Sequence, residues 1–158
     1  MSNYRSKQDL SAFDDFYKTV KSLENKKVSY GFYDNPHYSD LNTATLAAIH
    51  TEGWGGLPPR NFMESSSLLF KKDLEKVLNE MFDSIIGGNK SFEGNLKKLG
   101  KVAVKNLEQT IKSGKFTNNT VSPAWAEVKG FSEAMIHYGD LVGSASWKIE
   151  NTKAKRSQ

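Results

Sequence analysis

Two long amphipathic segments joined by a glycine pair constrain the fold of this chain more than any other feature. Over residues 64–86 apolar side chains recur every three or four positions, and a helix of that length extends roughly 34 Å. Gly87-Gly88 ends this helix, and the pattern resumes over residues 91–113, where Gly100 indicates a helix crossing or a kink. We therefore predict two long antiparallel helices that pack through their apolar faces. The faces consist of Leu74, Val77, Leu78, Met81, Phe82 and Ile85 in the first, and Phe92, Leu96, Leu99, Ala103, Leu107 and Ile111 in the second.

Shorter elements flank this helix pair. Residues 8–24 have the spacing of another amphipathic helix, and an alanine-rich helix follows later and stops at Gly53. Apolar and polar residues alternate over residues 27–33 and 144–150, which is typical of strands. The pattern predicts an α+β fold in which a small antiparallel sheet packs against the two long helices, with shorter helices around them.

Two segments show no regular pattern, and each carries a tryptophan. The first runs from Trp54 to Arg60 and is rich in glycine and proline; the second covers residues 115–133 and contains Trp125. Each tryptophan either folds back over the core as a lid or anchors a protein interface. Arg60 either satisfies local carbonyls or a carboxylate such as Glu52, or it faces a partner. We expect the second segment to be irregular and mobile before assembly.

Composition limits the function classes. The chain has 158 residues and no cysteine, which excludes disulfides and cysteine chemistry. It shows no apolar run long enough to span a bilayer and no secretion signal, so we expect a soluble intracellular protein without membrane contact. We predict one domain over residues 1–150 and a polar basic tail over residues 151–158. The net charge of +4 is concentrated in the tail and in the lysine-rich stretch from Lys90 to Lys115.

The three histidines do not form a recognisable catalytic or metal site. His37 lies in a loop with aspartates whose spacing matches no metal site, and His137 is adjacent to an acid only in sequence, where side chains diverge. His50 lies at the end of the alanine-rich helix, where a positive charge suits the carbonyl groups. We predict no catalytic residue, no metal and no cofactor, and therefore no enzyme.

Several short motifs resemble those of the tail-completion proteins of long-tailed bacteriophages, also called neck or head–tail joining proteins. Glu52-Gly53 stands where that family ends a small-residue helix with Glu-Phe-Gly, and the run from Pro58 to Phe62 stands where it has Pro-x-Arg-Pro-Phe, with asparagine replacing the second proline. The run from Met135 to Leu141 resembles Leu-Ile-Asp-Thr-Gly-x-Leu, with His-Tyr for Asp-Thr. Lys129 lies where the family often has a lysine. The resemblance covers roughly residues 27–150 and rests on the order and spacing of these motifs.

The resemblance implies a structural role. Copies of the chain would form a sixfold ring at the head–tail junction of a virion, in contact with neck, connector or tail-tube proteins, and DNA would pass through the lumen without sequence-specific binding. The protein would reside in the host cytoplasm during assembly and then in the virion neck. We expect residues 53–61 and 115–133 to make the principal contacts. The expected contact residues are Trp54, Leu57, Pro59, Arg60, Phe62, Phe116, Trp125 and Lys129.

A second interpretation is a small basic accessory protein that binds nucleic acid. It rests on the lysine-rich stretch and the basic tail, since lysines can follow a phosphate backbone. A solvated helix face explains the same lysines. Discrete rings favour the first interpretation, whereas monomers that bind DNA with a steep salt dependence favour the second.

Overall fold

The computed structural model describes residues 10–35, 41–88, 92–135 and 140–152. The described residues form an α+β fold in which β1 and β2 pair antiparallel, as predicted. The elements are α1 (Ser11–Leu23), β1 (Lys26–Gly31), α2 (Thr43–Glu52), a 3₁₀ turn (Trp54–Gly56), α3 (Phe62–Ile86), α4 (Glu93–Ser113), α5 (Pro123–Lys129), α6 (Asp140–Gly143) and β2 (Ser146–Asn151).

The two long helices, α3 and α4, form an antiparallel hairpin. Asn106 near the end of α4 donates to Asp73 in the first half of α3 at 2.9 Å, whereas Lys98 near the start of α4 pairs with Glu80 in the second half of α3. Later residues of α4 therefore contact earlier residues of α3. The predicted antiparallel packing is confirmed.

The apolar stripe of α4 is buried more completely than that of α3. In α3 the side chains of Val77 and Ile85 are buried and Leu74 is half-buried, but Phe82 is 50% exposed. The expectation that Phe82 belongs to the core is wrong. The neighbouring elements cover only part of the apolar stripe of α3, and Phe82 lies outside the covered part. The buried apolar residues of α4 are Leu96, Ala103, Leu107 and Ile111.

The two-stranded sheet lies against α4, and Gly100 marks the closest approach. Tyr30 of β1 pairs with Trp147 of β2, and the Trp147 ring covers the middle of α4. A Cβ at Gly100 would lie 2.4 Å from Cδ2 of Trp147, so only glycine fits here without displacement. Gly100 therefore marks a crossing of the helix and the sheet. β2 also extends to Asn151, the first residue of the predicted polar tail.

The segment over residues 115–133 is more regular than the sequence analysis expected. It contains α5, whose first turn is capped by the Ser122 hydroxyl with Pro123 at the first position, and which ends at left-handed Gly130. Thr120 and Glu133 form a β-bridge that closes the segment at its base. The prediction of an irregular loop is wrong. The seven residues of α5 are too few to show a helical periodicity, although the sequence carries a start signal at Ser122-Pro123 and a stop signal at Gly130.

The core cluster nearest the turn after α2 gathers four elements. Residues from α2, from the start of α3, from the end of α4 and from α6 meet there, together with two residues that precede α6. The cluster consists of Ala47, Phe62, Leu107, Ile111, Ala134, Met135, Leu141 and Val142. This packing fixes the beginning of α3, and thereby the turn described below.

The crossing at Gly100 yields a test of the packing. Gly100→Ala should destabilise the fold by about 1–3 kcal/mol, because overpacking against Trp147 outweighs the gain of about 1 kcal/mol in helix propensity. Gly94→Ala is the matched control, since nothing lies within 4 Å of a Cβ at that position of α4. It should leave stability unchanged or raise it. Urea unfolding of both variants measures the difference, and equal effects at the two positions would contradict the close contact.

Candidate functional site

The turn between α2 and α3 folds back on the end of α2. Gly53 ends α2 in the left-handed conformation with a φ of 75°, and a Cβ there would lie 2.6 Å from the backbone nitrogen of Pro59. The backbone N–H of Arg60 then donates to the carbonyl oxygen of His50 at 3.0 Å. This closed turn places Arg60 directly beside the helix that precedes it.

The Arg60 side chain is buried and joins three parts of the chain. It is 2% exposed, its Nε donates to the carbonyl oxygen of Asn118 at 3.0 Å, and Nη2 donates to that of Thr120 at 3.4 Å. Nη1 lies 3.0 Å from Nδ1 of His50. Because guanidinium N–H groups only donate, Nδ1 must accept, and the imidazole proton lies on Nε2. Arg60 thus ties α2 to the segment that follows α4.

A second set of bonds joins the same two segments beside Arg60. The Asn61 side-chain oxygen accepts from the backbone N–H of Thr117 at 2.8 Å and from the Thr117 hydroxyl at 3.0 Å. In return, the Asn118 side-chain amide donates to the carbonyl oxygen of Pro59 at 2.6 Å. Residues 59–61 and 117–120 are therefore connected by side chains from both sides, and we call this connection the arginine clasp.

Burial and positive charge set the ionisation state of the clasp. Burial, and then the charge of Arg60, lowers the pKa of His50 to about 4, so its imidazole is neutral at pH 7. The expectation of a positive His50 at the end of α2 is therefore wrong. Burial also lowers the pKa of Arg60, which remains charged because an arginine pKa starts so high.

A pocket of about 560 Å³ opens beside the arginine clasp. Arg60, His50 and Lys129 line it, together with Leu57 and Trp125, which are 40% and 47% exposed. The remaining walls are largely apolar; they include Leu46, Val121, Met135 and Leu141.

The Lys129 ammonium is held in place within this pocket. It donates to the carbonyl oxygen of Glu133 and lies 4.2 Å from the centre of the Phe131 ring. Burial lowers the pKa of Lys129; the carboxylate of Glu133 opposes that shift, and Arg60 adds to it. The pocket thus carries two positive groups on a mostly apolar wall.

The structure separates the predicted contact residues into two groups. Arg60 and Phe62, at 2% and 0% exposure, belong to the interior and present no surface to a partner in this fold. Phe116 is half-buried and packs edge-on against Phe62 at 6.2 Å, so it is mainly a core residue as well. The physical reason is that the clasp folds residues 59–62 under the segment that follows α4.

The other predicted contact residues remain accessible. Trp54 is 72% exposed, Pro59 is exposed, and Leu57, Trp125 and Lys129 meet at the pocket. Of the two interpretations for Arg60, the local one is correct: its side chain donates to backbone carbonyl oxygens. Glu52, the carboxylate suggested as an alternative acceptor, is not among the partners of Arg60 described above. Sequence reasoning missed the bonds that Asn61 and Asn118 make between the two segments. An asparagine beside a turn gives no indication in the sequence that it contacts a residue about sixty positions away.

The wider comparisons leave the site to be interpreted from its own geometry. Comparison with protein-family models, with curated proteins and with solved structures finds no match to this chain. In the part of the chain that the structure describes, no helix is long and apolar enough to cross a membrane, and no three or more acidic or histidine side chains cluster as metal ligands would. His37 and His137 lie outside the described residues.

The neutral state of His50 predicts a specific pH dependence. Its pKa of about 4 lies below its ordinary value of 6.5, so between these values the unfolded chain binds more protons than the folded one. The stability that neutral His50 contributes is complete above about pH 6.5 and is lost as the pH falls towards 4. After allowance for partial solvent exposure, the loss is on the order of 1–2 kcal/mol.

His50→Asn separates this effect from general acid unfolding. Asparagine places an oxygen acceptor near the position of Nδ1 but does not titrate in this range. Urea unfolding between pH 7 and pH 4 should therefore show a steeper loss of stability in the wild type than in the variant. Parallel curves for the two proteins would contradict a neutral His50 in the folded state.

Proposed function

We propose that this chain is a structural subunit that assembles head-to-tail into a ring at the head–tail junction of a long-tailed bacteriophage. The sequence motifs supply the phage assignment, because their order and spacing resemble those of tail-completion proteins. The folded chain supplies an independent physical argument for assembly, which rests on where its exposed apolar side chains lie.

The observation that carries the proposal is the presence of two apolar surfaces far apart on one chain. The helix surface, on α1, the residue before it and the end of α3, consists of Leu10, Phe13, Tyr17, Phe82 and Ile86. The pocket surface, on the turn before α3 and on or beside α5, consists of Trp54, Leu57, Trp125, Val128 and Phe131. The first surface includes the last residue of α3 and the second lies beside its start, so 25 residues of helix, roughly 37 Å, separate them.

Two different exposed apolar surfaces on one subunit favour a heterologous contact. Such a contact joins one surface of each copy to the other surface of the next, and it closes into a ring when the rotation permits. Exposed clusters of large apolar side chains usually mark interaction sites. The arginine clasp supports this role, because a surface that is already fixed loses little conformational entropy on binding.

The lysine-rich helix α4 supports nucleic-acid binding less than its sequence suggested. Lys97 pairs with Glu93, Lys112 pairs with Glu108, and Lys98 pairs with Glu80 of α3. Positive groups already paired with carboxylates attract phosphates less strongly, because the local charge is partly cancelled. We therefore keep assembly as the proposed function.

Trp125→Ala tests the proposal. The purified chain should form discrete rings at high concentration, and the variant should lose them while its melting temperature stays within about 2 °C of the wild type, since half of the side chain is already exposed. Negative-stain imaging and sedimentation measure the rings, and thermal unfolding measures the subunit.

The matched control is Leu68→Ala. Leu68 is 64% exposed on α3, outside both surfaces, so its truncation should spare both the rings and the melting temperature. The proposal is wrong if the wild type stays monomeric at every concentration and with every neck component added. The interface role of Trp125 is wrong if Trp125→Ala lowers the melting temperature of the subunit but leaves ring assembly intact.

A further inference from the structure

The stretch that contains α5, residues 118–135, begins and ends at an unusual backbone position. We call this stretch the α5 segment. Among the residues that the structure describes, the non-glycine residues with positive φ are Asn118, at 55°, and Met135, at 63°. The left-handed region is unfavourable for a residue with a side chain, methionine more than asparagine, and such residues persist only where surrounding contacts hold them. The α5 segment is therefore held closed against a tendency of its two ends to relax.

Few apolar contacts hold the α5 segment on the main fold. None of the seven residues of α5 is buried, and Val128 is 70% exposed. Val121 near one end of the segment, and Ala134 and Met135 at the other, reach the core cluster. A helix as short as α5 is not stable by itself in water, so the segment would lose its order once it is released.

The arginine clasp supplies polar ties for the same segment. The guanidinium of Arg60 donates to the carbonyl oxygens of Asn118 and Thr120, and the Asn118 side chain donates to the carbonyl oxygen of Pro59. The third partner of the guanidinium is the imidazole of His50. The position of the guanidinium therefore depends on whether His50 accepts its hydrogen bond.

His50 accepts from Arg60 only while its imidazole is neutral. A protonated imidazole carries an N–H on both nitrogens and has no acceptor left for the Nη1 donor at 3.0 Å. The charged groups near His50 are Arg60 from the turn and Lys129 from α5, both positive. Glu133 acts on Lys129, and Glu52 follows His50 on α2. No described Asp or Glu lines the pocket beside His50, so an imidazolium would face the guanidinium without a carboxylate in that wall.

We propose that protonation of His50 frees Arg60 from the clasp and lets the α5 segment unfold locally, while the helix hairpin and the sheet stay folded. The arginine clasp then acts as a latch that acid opens. Release lets Asn118 and Met135 return to ordinary backbone conformations and uncovers the apolar wall of the pocket. The inference goes beyond the proposed function and does not depend on it, because the opening takes place within one subunit.

The direction of the pH effect follows from the pKa of His50. Burial, and then the charge of Arg60, lowers this pKa to about 4 in the closed fold, whereas a released and hydrated His50 titrates near 6.5. Between these values the released state binds more protons than the closed one, so release becomes more favourable as the pH falls below 6.5. From pH 7 to pH 4.5 the equilibrium constant for release should rise at least about tenfold.

Amide hydrogen exchange between pH 7 and pH 4.5 tests the latch, after correction for the intrinsic pH dependence of exchange. The reporting amides are Val121, bonded to Ser132, and Ala134, bonded to Asn119, which all lie within the α5 segment. Their protection should fall at least about tenfold, while protection at the centre of α4 changes far less. An equal fall in all three places would show that acid unfolds the whole subunit, and it would overturn the latch.

Two variants identify the group that titrates. His50→Asn keeps an oxygen acceptor near the position of Nδ1 and does not titrate in this range, so the additional fall at Val121 and Ala134 should disappear. Glu133→Gln is the matched control, because it removes the carboxylate that acts on Lys129 but keeps the backbone carbonyl to which Lys129 donates. It should retain the fall. Persistence of the fall in His50→Asn, or its loss in Glu133→Gln, would overturn His50 as the sensor.

The outcomes distinguish this inference from the proposed function, because exchange is measured on the monomer at low concentration. A wild type that never forms rings would refute the proposed function and leave the latch in place. Protection at Val121 and Ala134 that does not change between pH 7 and pH 4.5 would overturn the latch and leave the ring in place.

Discussion

The buried guanidinium of Arg60 is the interaction on which the candidate site depends. A charged group loses its hydration when it is buried, so it is tolerated only when its donors meet acceptors. Here the acceptors are two backbone carbonyls of the segment after α4 and the neutral imidazole of His50. Without Arg60 these carbonyls would lose their partner in the clasp, and the base of α5 would lose one of its ties to the turn before α3.

The long hairpin turns this local tie into a property of the whole molecule. α3 begins beside the clasp and ends beside α1, so it holds the pocket surface and the helix surface at a fixed separation. The packing of Gly100 against Trp147 in turn fixes α4 on the sheet. A subunit with two rigidly related, dissimilar surfaces is suited to repeat around an axis, which is the physical basis of the proposed assembly.

Sequence reasoning predicted the elements with long-range periodicity and missed those defined by contacts. The helix hairpin, the two strands and the role of Gly100 follow from patterns of 3.6 and 2 residues and from glycine placement. The inward position of Arg60 and Phe62 does not, because it depends on Asn61 meeting Thr117 across the fold. Nor did spacing reveal that Phe13 and Tyr17 of α1 stay exposed: an amphipathic pattern indicates that a face is apolar, but not whether its partner lies in the same chain.

Amide hydrogen exchange in Arg60→Lys tests the clasp most directly, since lysine keeps the charge but cannot reach three acceptors at once. The informative amides are Val121, bonded to Ser132, and Ala134, bonded to Asn119, with the centre of α4 as the internal reference. The account predicts that protection at both amides falls at least about tenfold more than in α4. Equal changes in all three places, or no change, would contradict the claim that Arg60 holds this segment.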